Sequence, residues 1–515
     1  MPRKWWTLTA VCTGVFMLLL DITIVNVALP DIQQRMSASL TDLQWVISAY
    51  ALTLAAFLLT AGSLADRYGR RLLFAIGLVI FTAGSLACGV ATGPLFLILA
   101  RGGQGVGGAI MFATSLALLA DAFRGRDRAA AFAVFGAVTG VAVAVGPVLG
   151  GAITSGLSWR WIFFVNLPIG VLALLVTMTR VSESRDPAAG KPDLAGFITF
   201  SLGLAALVLG LIRSTADGWG SATVIASLAA SGVLLVSFAV IERVRRSPML
   251  DLRLLRVPTF NGGLAAAWAI SASLFSLLTY LIIYVQNILG LSPVAAGVRF
   301  LPLTGAIFLT AGAAGRLTNH VPRRLLIGAG FAATGAGLLL MRGLTPASSW
   351  THLLPGMIVA GVGAGLINVP LVSTAVGVVE PARAGMASGI NSTLRQVGIA
   401  TGVAALGTIF ASHIRSATVS QLAGTPLAGH ATAIGHAISN GAAGQAIAAT
   451  PAPLRGLVVA AARGSFTSGL NLILLIGAII ALAAAATSLA LVRERDFVTE
   501  ETPGAPAPAA EVARA

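Results

Sequence analysis

Runs of apolar residues long enough to cross a bilayer recur near 7–29, 43–64, 72–91, 94–119, 129–155, 162–180, 194–213, 222–241, 260–287, 294–315, 324–342, 352–378, 385–411 and 466–492. A helix needs about 20 such residues to span the hydrocarbon core, and backbone polar groups in lipid must be satisfied within the segment itself. The pattern therefore predicts an all-α polytopic membrane protein with fourteen transmembrane helices. The polar stretches between runs are short, except for 413–465. That Ala- and Gly-rich segment is predicted as a long outside loop with room for a partly buried hairpin. The Pro- and Ala-rich tail at 498–515 is predicted to be disordered and cytoplasmic. Arg3 and Lys4 ahead of the first run also suit a cleaved signal peptide. The length of that run, its Asp21 and Asn26, and the lack of a small-residue cleavage pattern favour a retained helix.

Composition sharpens this picture. The chain is 57% apolar and 10% charged, with a mean hydropathy of +0.90, which excludes a soluble enzyme with a membrane tail. Its formal charge of +15 does not mark a nucleic-acid partner, because the charges are not pooled in one patch. Most basic residues fall in alternate loops, those holding Arg3, Lys4, Arg67, Arg70, Arg71, Arg180, Arg243, Arg316, Arg323 and Arg493. The intervening loops hold only Arg35, Arg160, Arg213, Arg299, Arg342, Arg415, Arg455 and Arg463. The positive-inside rule then puts both termini in the cytoplasm of a multi-pass protein of the cell (inner) membrane. Cys12 and Cys88 both lie in apolar runs, which leaves no disulfide framework and no metal site.

The halves resemble each other weakly. Gly105, Gly107 and Phe112 fall over Gly361, Gly363 and Asn368, and Gly146 and Gly150 over Gly398 and Gly402. Two pseudo-symmetric six-helix halves, 1–190 and 248–497, with an inserted pair of helices at 191–247, is the plan of a secondary transporter whose substrate site lies at the repeat interface.

Charges inside spans carry the candidate chemistry. Asp21 lies about two-thirds along its span, where a bare carboxylate would cost several kcal/mol, so it must be neutral, paired or facing water. Arg101 cannot shed its charge and must find a carboxylate or carbonyl. Arg395 shares a helical face with Ser388 and Asn391 and suits a similar role in the second half. A structural Asp near a water layer, or an Arg bridging helix carbonyls, would satisfy the same constraints. Aromatic and polar groups in the spans, Tyr280, Tyr284 and Asn287 on one face, with Asn26, Asn368, Asn391, Arg395 and Gln396, form a candidate pocket, the aromatic and amide groups suiting a lipophilic cation through cation–π contact and hydrogen bonds. Ordinary interhelical bonding would explain them equally. His413, His430 and His436 are placed in the solvated outside segment.

Four stretches in order resemble the major facilitator superfamily: LDITIVNVALP at 20–30, GSLADRYGRR at 62–71, RGGQGVGG at 101–108 and GPVLGG at 146–151. The first stretch and the inserted helix pair are similar to the fourteen-span drug:proton antiporter branch. The resemblance implies that Asp21 serves proton coupling or cation recognition and that Arg101 takes part in proton transfer. It implies that Gly62, Asp66, Arg67, Gly69, Arg70 and Arg71 form an inside gate latch, with the acid at a helix end and the arginines reaching the other half. It also implies that Gly146, Pro147, Gly150 and Gly151 form the kinked, tightly packed helix characteristic of exporters. Ala142 stands where the exporter pattern usually opens with glycine, and the second-half counterpart of the latch, GAAGRLTNHVPRR at 312–324, has no carboxylate.

The resulting expectation is a proton-coupled exporter of hydrophobic, cationic drugs or antibiotics, working as a monomer by alternating access. It needs no cofactor, since the proton gradient drives it and no phosphate-binding Gly-x-x-x-x-Gly-Lys-Ser/Thr loop appears. A proton-coupled importer or metabolite facilitator of the same fold is the alternative. An intramembrane enzyme lacks a His-Glu-x-x-His run or other catalytic cluster, and a passive channel does not explain lone buried charges.

Overall fold

The computed structural model describes residues 2–123, 125–185, 193–245, 248, 250–318, 320–379 and 384–497. The tail from 498, with Arg124, Lys191, Arg246 and Arg383, lies outside the described residues. Fourteen helices are long and apolar enough to cross a membrane, and there is no strand among the described residues. They are α1 (Arg3–Met36), α2 (Leu40–Tyr68), α3 (Arg70–Gly89), α4 (Pro94–Ala122), α5 (Gly125–Gly156), α6 (Trp161–Arg180) and α7 (Leu194–Asp217). Then follow α8 (Ala222–Val244), α9 (Pro258–Ile288), α10 (Pro293–Leu317), α11 (Arg323–Leu340), α12 (Leu354–Gly377), α13 (Ala384–Leu422) and α14 (Arg455–Leu491). The membrane face holding Asp66, Arg71 and Arg323 is called the basic face below.

Local chemistry sets several helix ends. Ser39 and Asp42 form a reciprocal capping box that starts α2, with Asp42 N–H donating to Ser39 Oγ at 3.1 Å and Ser39 N–H to Asp42 Oδ2 at 2.8 Å. Pro94 opens α4 at a position where a missing N–H costs nothing. The predicted long loop at 413–465 is largely helical instead. α13 runs for 39 residues, through Leu422, or about 58 Å at 1.5 Å per residue, far beyond the ~30 Å hydrocarbon core. The extension persists because Ile414, Thr418 and Leu422 fall on one helical face and are buried there. Two short helices follow, Ala431–Ser439 and Ala443–Ala449. The first buries Ile434 and Ile438, and Asn440 just beyond it accepts a hydrogen bond from Leu40 N–H at 3.1 Å.

Helices α1–α6 pack among themselves, as do α9–α14. α7 and α8 pair with each other, and α7 fills the outer groove between α2 and α13. There Leu204, Val208 and Ile212 pack on Ala51, Ala55, Ala400 and Ala404. Thr408 Oγ1 donates to Leu211 O at 2.7 Å, and the Phe57 and Phe197 rings meet edge to face at 4.8 Å. α8 presents Ile225, Val233, Val236 and Val240 outward, as suits a helix set against lipid.

The halves meet most closely away from the basic face. On α5 and α10, Gly151 lies against the Pro293 carbonyl and Gly297 against that of Pro147, while Thr304 Oγ1 donates to Ala144 O at 3.2 Å. Phe308 reaches Gly140 one turn further on. Beyond that the two helices diverge. Gly136, Gly312 and Gly315 are exposed, with no atom within 4 Å of where a side chain would begin.

Candidate functional site

Asp21 and Arg101 meet at the centre of the first half. Arg101 Nη1 donates to Asp21 Oδ2 at 2.5 Å and to Gln104 Oε1 at 2.7 Å, and its Nε reaches Val46 O at 3.4 Å. Gln104 Nε2 in turn donates to Asp21 Oδ1 at 2.9 Å and to Ser85 Oγ at 2.8 Å. Asn166 Nδ2 donates to Ser85 Oγ at 2.8 Å and to Asp21 Oδ1 at 3.3 Å. The Tyr50 ring lies 4.1 Å below the guanidinium carbon, a cation–π contact strengthened by desolvation. Asp21 is 0% exposed and Arg101 2%. A charge pair so deep is tolerable because every oxygen of the acid is hydrogen-bonded.

Five helices build this cluster: α1, α2, α3, α4 and α6. Glycines on α4 make it reachable, since Gly105 touches the Tyr50 carbonyl and Gly107 the backbone of α3 at Gly77 and Phe81. The sequence pointed to Asp21 and Arg101 but missed Tyr50, Ser85, Gln104 and Asn166. Gln104 had a signal, since it follows Arg101 by one helical turn. A lone Ser85 or Asn166 in an apolar helix has none.

The loop between α2 and α3 departs from expectation. Asp66 Oδ1 accepts from Arg70 Nε and Nη2 at 2.9 and 2.8 Å, within the loop itself. The N-terminus of α3 is capped by Glu183 instead, which accepts from Arg71 N–H at 2.9 Å and Leu72 N–H at 3.2 Å. Glu183 follows α6, so the tie stays inside the first half. Gly69 has φ +124°, and the Glu183 carboxyl sits 2.7 Å from where its Cβ would stand, so only glycine suits the position. Arg67 rests over its neighbour Tyr68 at 5.7 Å. Among the described residues none of these arginines pairs with the second half; Arg70 and Arg71 find Asp66 and Glu183 in their own. No atom lies within 4 Å of a Cβ placed on Gly62.

The second half repeats the cap. Arg323 N–H, at the start of α11, donates to Glu494 Oε1 at 2.9 Å, and Glu494 follows α14. The carboxylate missing from 312–324 is thus supplied from a distant part of the chain.

The glycine-proline element of α5 works on two sides. Gly146 and Gly150 face Thr23 and Ile24 of α1, while Pro147 and Gly151 face α10 across the halves. The candidate pocket residues do not form one group. Tyr280 is buried and donates to Val403 O at 2.9 Å, and Tyr284 is buried beside Phe466. With Phe410 they form an aromatic cluster between α9, α13 and α14 rather than an open wall. Asn26 Oδ1 accepts from Thr279 Oγ1 at 3.2 Å and Asn287 Nδ2 donates to Gln33 Oε1 at 3.4 Å, both joining α1 to α9. Asn368 Oδ1 accepts from Arg395 Nη1 at 2.9 Å, joining α12 to α13. Asn391 is buried one turn before Arg395, and Gln396 is half-buried.

The family model of the Major Facilitator Superfamily matches residues 11–403. The chain belongs to that superfamily. Among facilitator relatives, the Multidrug resistance protein Stp of Mycobacterium tuberculosis is 37% identical over 414 residues, 80% of this chain and 77% of that one. The Tetracenomycin C resistance and export protein of Streptomyces glaucescens is 32% identical over 492 residues, 95% of this chain and 91% of that one. A bacterial homologue of the human lysosomal transporter Spinster, in an inward-facing and unoccupied conformation, shares the facilitator fold. Its TM-score is 0.60 at 18% identity, over 97% of this chain and 99% of that one. The chain is thus a transporter rather than an enzyme, and its fourteen candidate spans are those of the structure itself.

Proposed function

We propose that the protein is a proton-coupled exporter of hydrophobic drugs or antibiotics, working by alternating access as a monomer in the cell membrane, with the basic face in the cytoplasm. The carrying observation is the enclosed Asp21–Arg101 pair. Both Asp21 oxygens are engaged by Arg101, Gln104 and Asn166, which supports proton movement over direct recognition of a cationic drug. A proton on Asp21 removes its charge and weakens its hold on Arg101. The same helix carries Asn26 and Val27, whose contacts with Thr279 and Gln286 of α9 cross between the halves at 3.2 and 2.8 Å. A proton gained or lost at Asp21 can therefore bias the interface that must open and close. The named activities of the resistance and export relatives support the outward direction.

Everted membrane vesicles with an acidified lumen test this reading. Hydrophobic fluorescent compounds are expected to accumulate in the lumen, and a protonophore is expected to abolish that accumulation. Accumulation in right-side-out vesicles with an acidic exterior would favour the importer alternative, and accumulation that needs ATP rather than a proton gradient would overturn the coupling.

A further inference from the structure

Arg395 is the second guanidinium within a span, and its setting is unlike that of Arg101. It lies eleven residues into α13, about 16 Å along the helix axis from Ala384. Only Nη1 is engaged, by Asn368. Nε and Nη2 are buried and make no hydrogen bond among the described residues, and the same holds for Asn391 Nδ2 one turn earlier. Three donors in low dielectric without acceptors are costly, and a guanidinium there keeps its full charge.

The direction these groups face follows from what covers the rest of α13. Gly389, Ala400 and Ala404 meet α2 and α7, Gly398 and Gly402 meet α9, and Arg395 reaches toward α12. Between the α2 side and the α12 side run Ser388, Ser392 and Arg395 at i, i+4 and i+7, all half-buried and all polar. α7 closes the lipid side of the α2/α13 groove, so this polar stripe turns to the space between the halves, which widens where α5 and α10 diverge. No carboxylate matches it there among the described residues. Asp21 is closed inside the first half, and the other described acids stand at or beyond helix ends.

We propose that Arg395, with Ser388 and Ser392 on the same stripe, anchors an anionic oxygen group, a phenolate or carboxylate, on a lipophilic substrate. This deepens the export reading and rests on it: the apolar body of the substrate would lie between the halves while its charged oxygen takes the free N–H groups of the guanidinium. Selection then runs opposite to the cationic preference expected from Asp21, because the fixed charge left unpaired within the spans is positive. A planar guanidinium offers two parallel donors to one oxyanion, a geometry that lysine cannot copy.

Two xanthene dyes of similar size and opposite charge test the assignment, fluorescein as the anion and rhodamine 123 as the cation. Their binding to the full-length protein in detergent is read by fluorescence anisotropy, with thermal unfolding as the folding control. Fluorescein is expected to bind the wild type at least tenfold more tightly than it binds Arg395→Gln, with Arg395→Lys between the two and rhodamine 123 affected by less than threefold. Equal fluorescein affinity in the wild type and Arg395→Gln would overturn the proposal. If Arg395→Gln fails to fold, the wild type alone decides, since tighter binding of rhodamine 123 than of fluorescein would overturn it. Arg395-dependent binding without gradient-driven transport would leave this assignment standing and remove the export reading instead.

Discussion

Glu183 and Glu494 perform the same act in the two halves: each follows the last helix of its half and accepts a 2.9 Å hydrogen bond from the backbone N–H of an arginine in the first turn of the third, Arg71 and Arg323 respectively. A carboxylate on free N–H groups at a helix start gains from both the hydrogen bond and the helix dipole. Each half is thereby tied from its last helix to its third at the basic face, with the cap conserving the internal symmetry that the loop sequences lose.

The cap is expected to support stability rather than substrate recognition. Glu494→Gln keeps the shape but loses the charge, and Glu494→Ala removes both. Loss of such a cap costs about 0.5–2 kcal/mol, so Glu494→Ala is expected to unfold at lower temperature than the wild type, with Glu494→Gln between them. A thermal unfolding curve superimposable on the wild type for both variants would show the contact to be idle.

At Asp21, replacement by Asn keeps the size and an acceptor oxygen while removing the titratable proton. Gradient-driven export is expected to fall at least tenfold in this variant while the protein reaches the membrane at normal levels. Efflux at the wild-type rate, still sensitive to a protonophore, would move the coupling site elsewhere.

Arg101 separates charge from geometry. Arg101→Lys keeps the charge without the planar guanidinium, whose Nη1 holds Asp21 and Gln104 while its Nε reaches Val46 O, and Arg101→Ala leaves Asp21 buried without its ion pair, a change that costs about 3–5 kcal/mol when one member of a buried pair is removed. Partial coupling in the Lys variant and none in the Ala variant is the expected order, measured as protons moved per substrate. Wild-type exchange in both would reduce Arg101 to helix packing.

The glycine at 151 tests closure between the halves. Its Cα faces the Pro293 carbonyl so closely that any side chain must push α5 from α10. Gly151→Val is expected to cut transport severely and to raise cysteine accessibility along α5 from the face opposite the basic one, while Ala142→Gly, at the position where the exporter pattern opens, leaves transport within about twofold. Normal transport by Gly151→Val would show that the close approach is not needed for the cycle.

Hydrophobic runs, arginine spacing and four motifs revealed the spans and the family, because a bilayer imposes length and polarity on each helix separately. Asp21 and Arg101 stood out for the same reason: a charge in an apolar run is conspicuous without any knowledge of its neighbours. What the sequence hid is pairwise. Ser85 and Asn166 are unremarkable until α3 and α6 bring them to Asp21, and Glu183 reads as an ordinary loop acid until Gly69 turns the chain beneath it. Tyr280 and Tyr284 misled in the opposite sense. Their shared face is real, but it packs on Phe410 and Phe466, since a one-dimensional pattern records a face and not what covers it. The helix at 413–422 was hidden by its modest hydropathy, although Ile414, Thr418 and Leu422 recur at helical spacing and are buried.

The placement of α7 makes the two seams between the halves unequal toward the surrounding lipid. Along α2 and α13 the groove is plugged by Leu204, Val208 and Ile212, whereas along α5 and α10 no helix among the described residues packs outside the junction, and the two separate toward the basic face. In the orientation proposed above, a compound dissolved in the inner leaflet would meet a wall on one flank and an open seam on the other. The transporter thus has a handedness in the plane of the membrane.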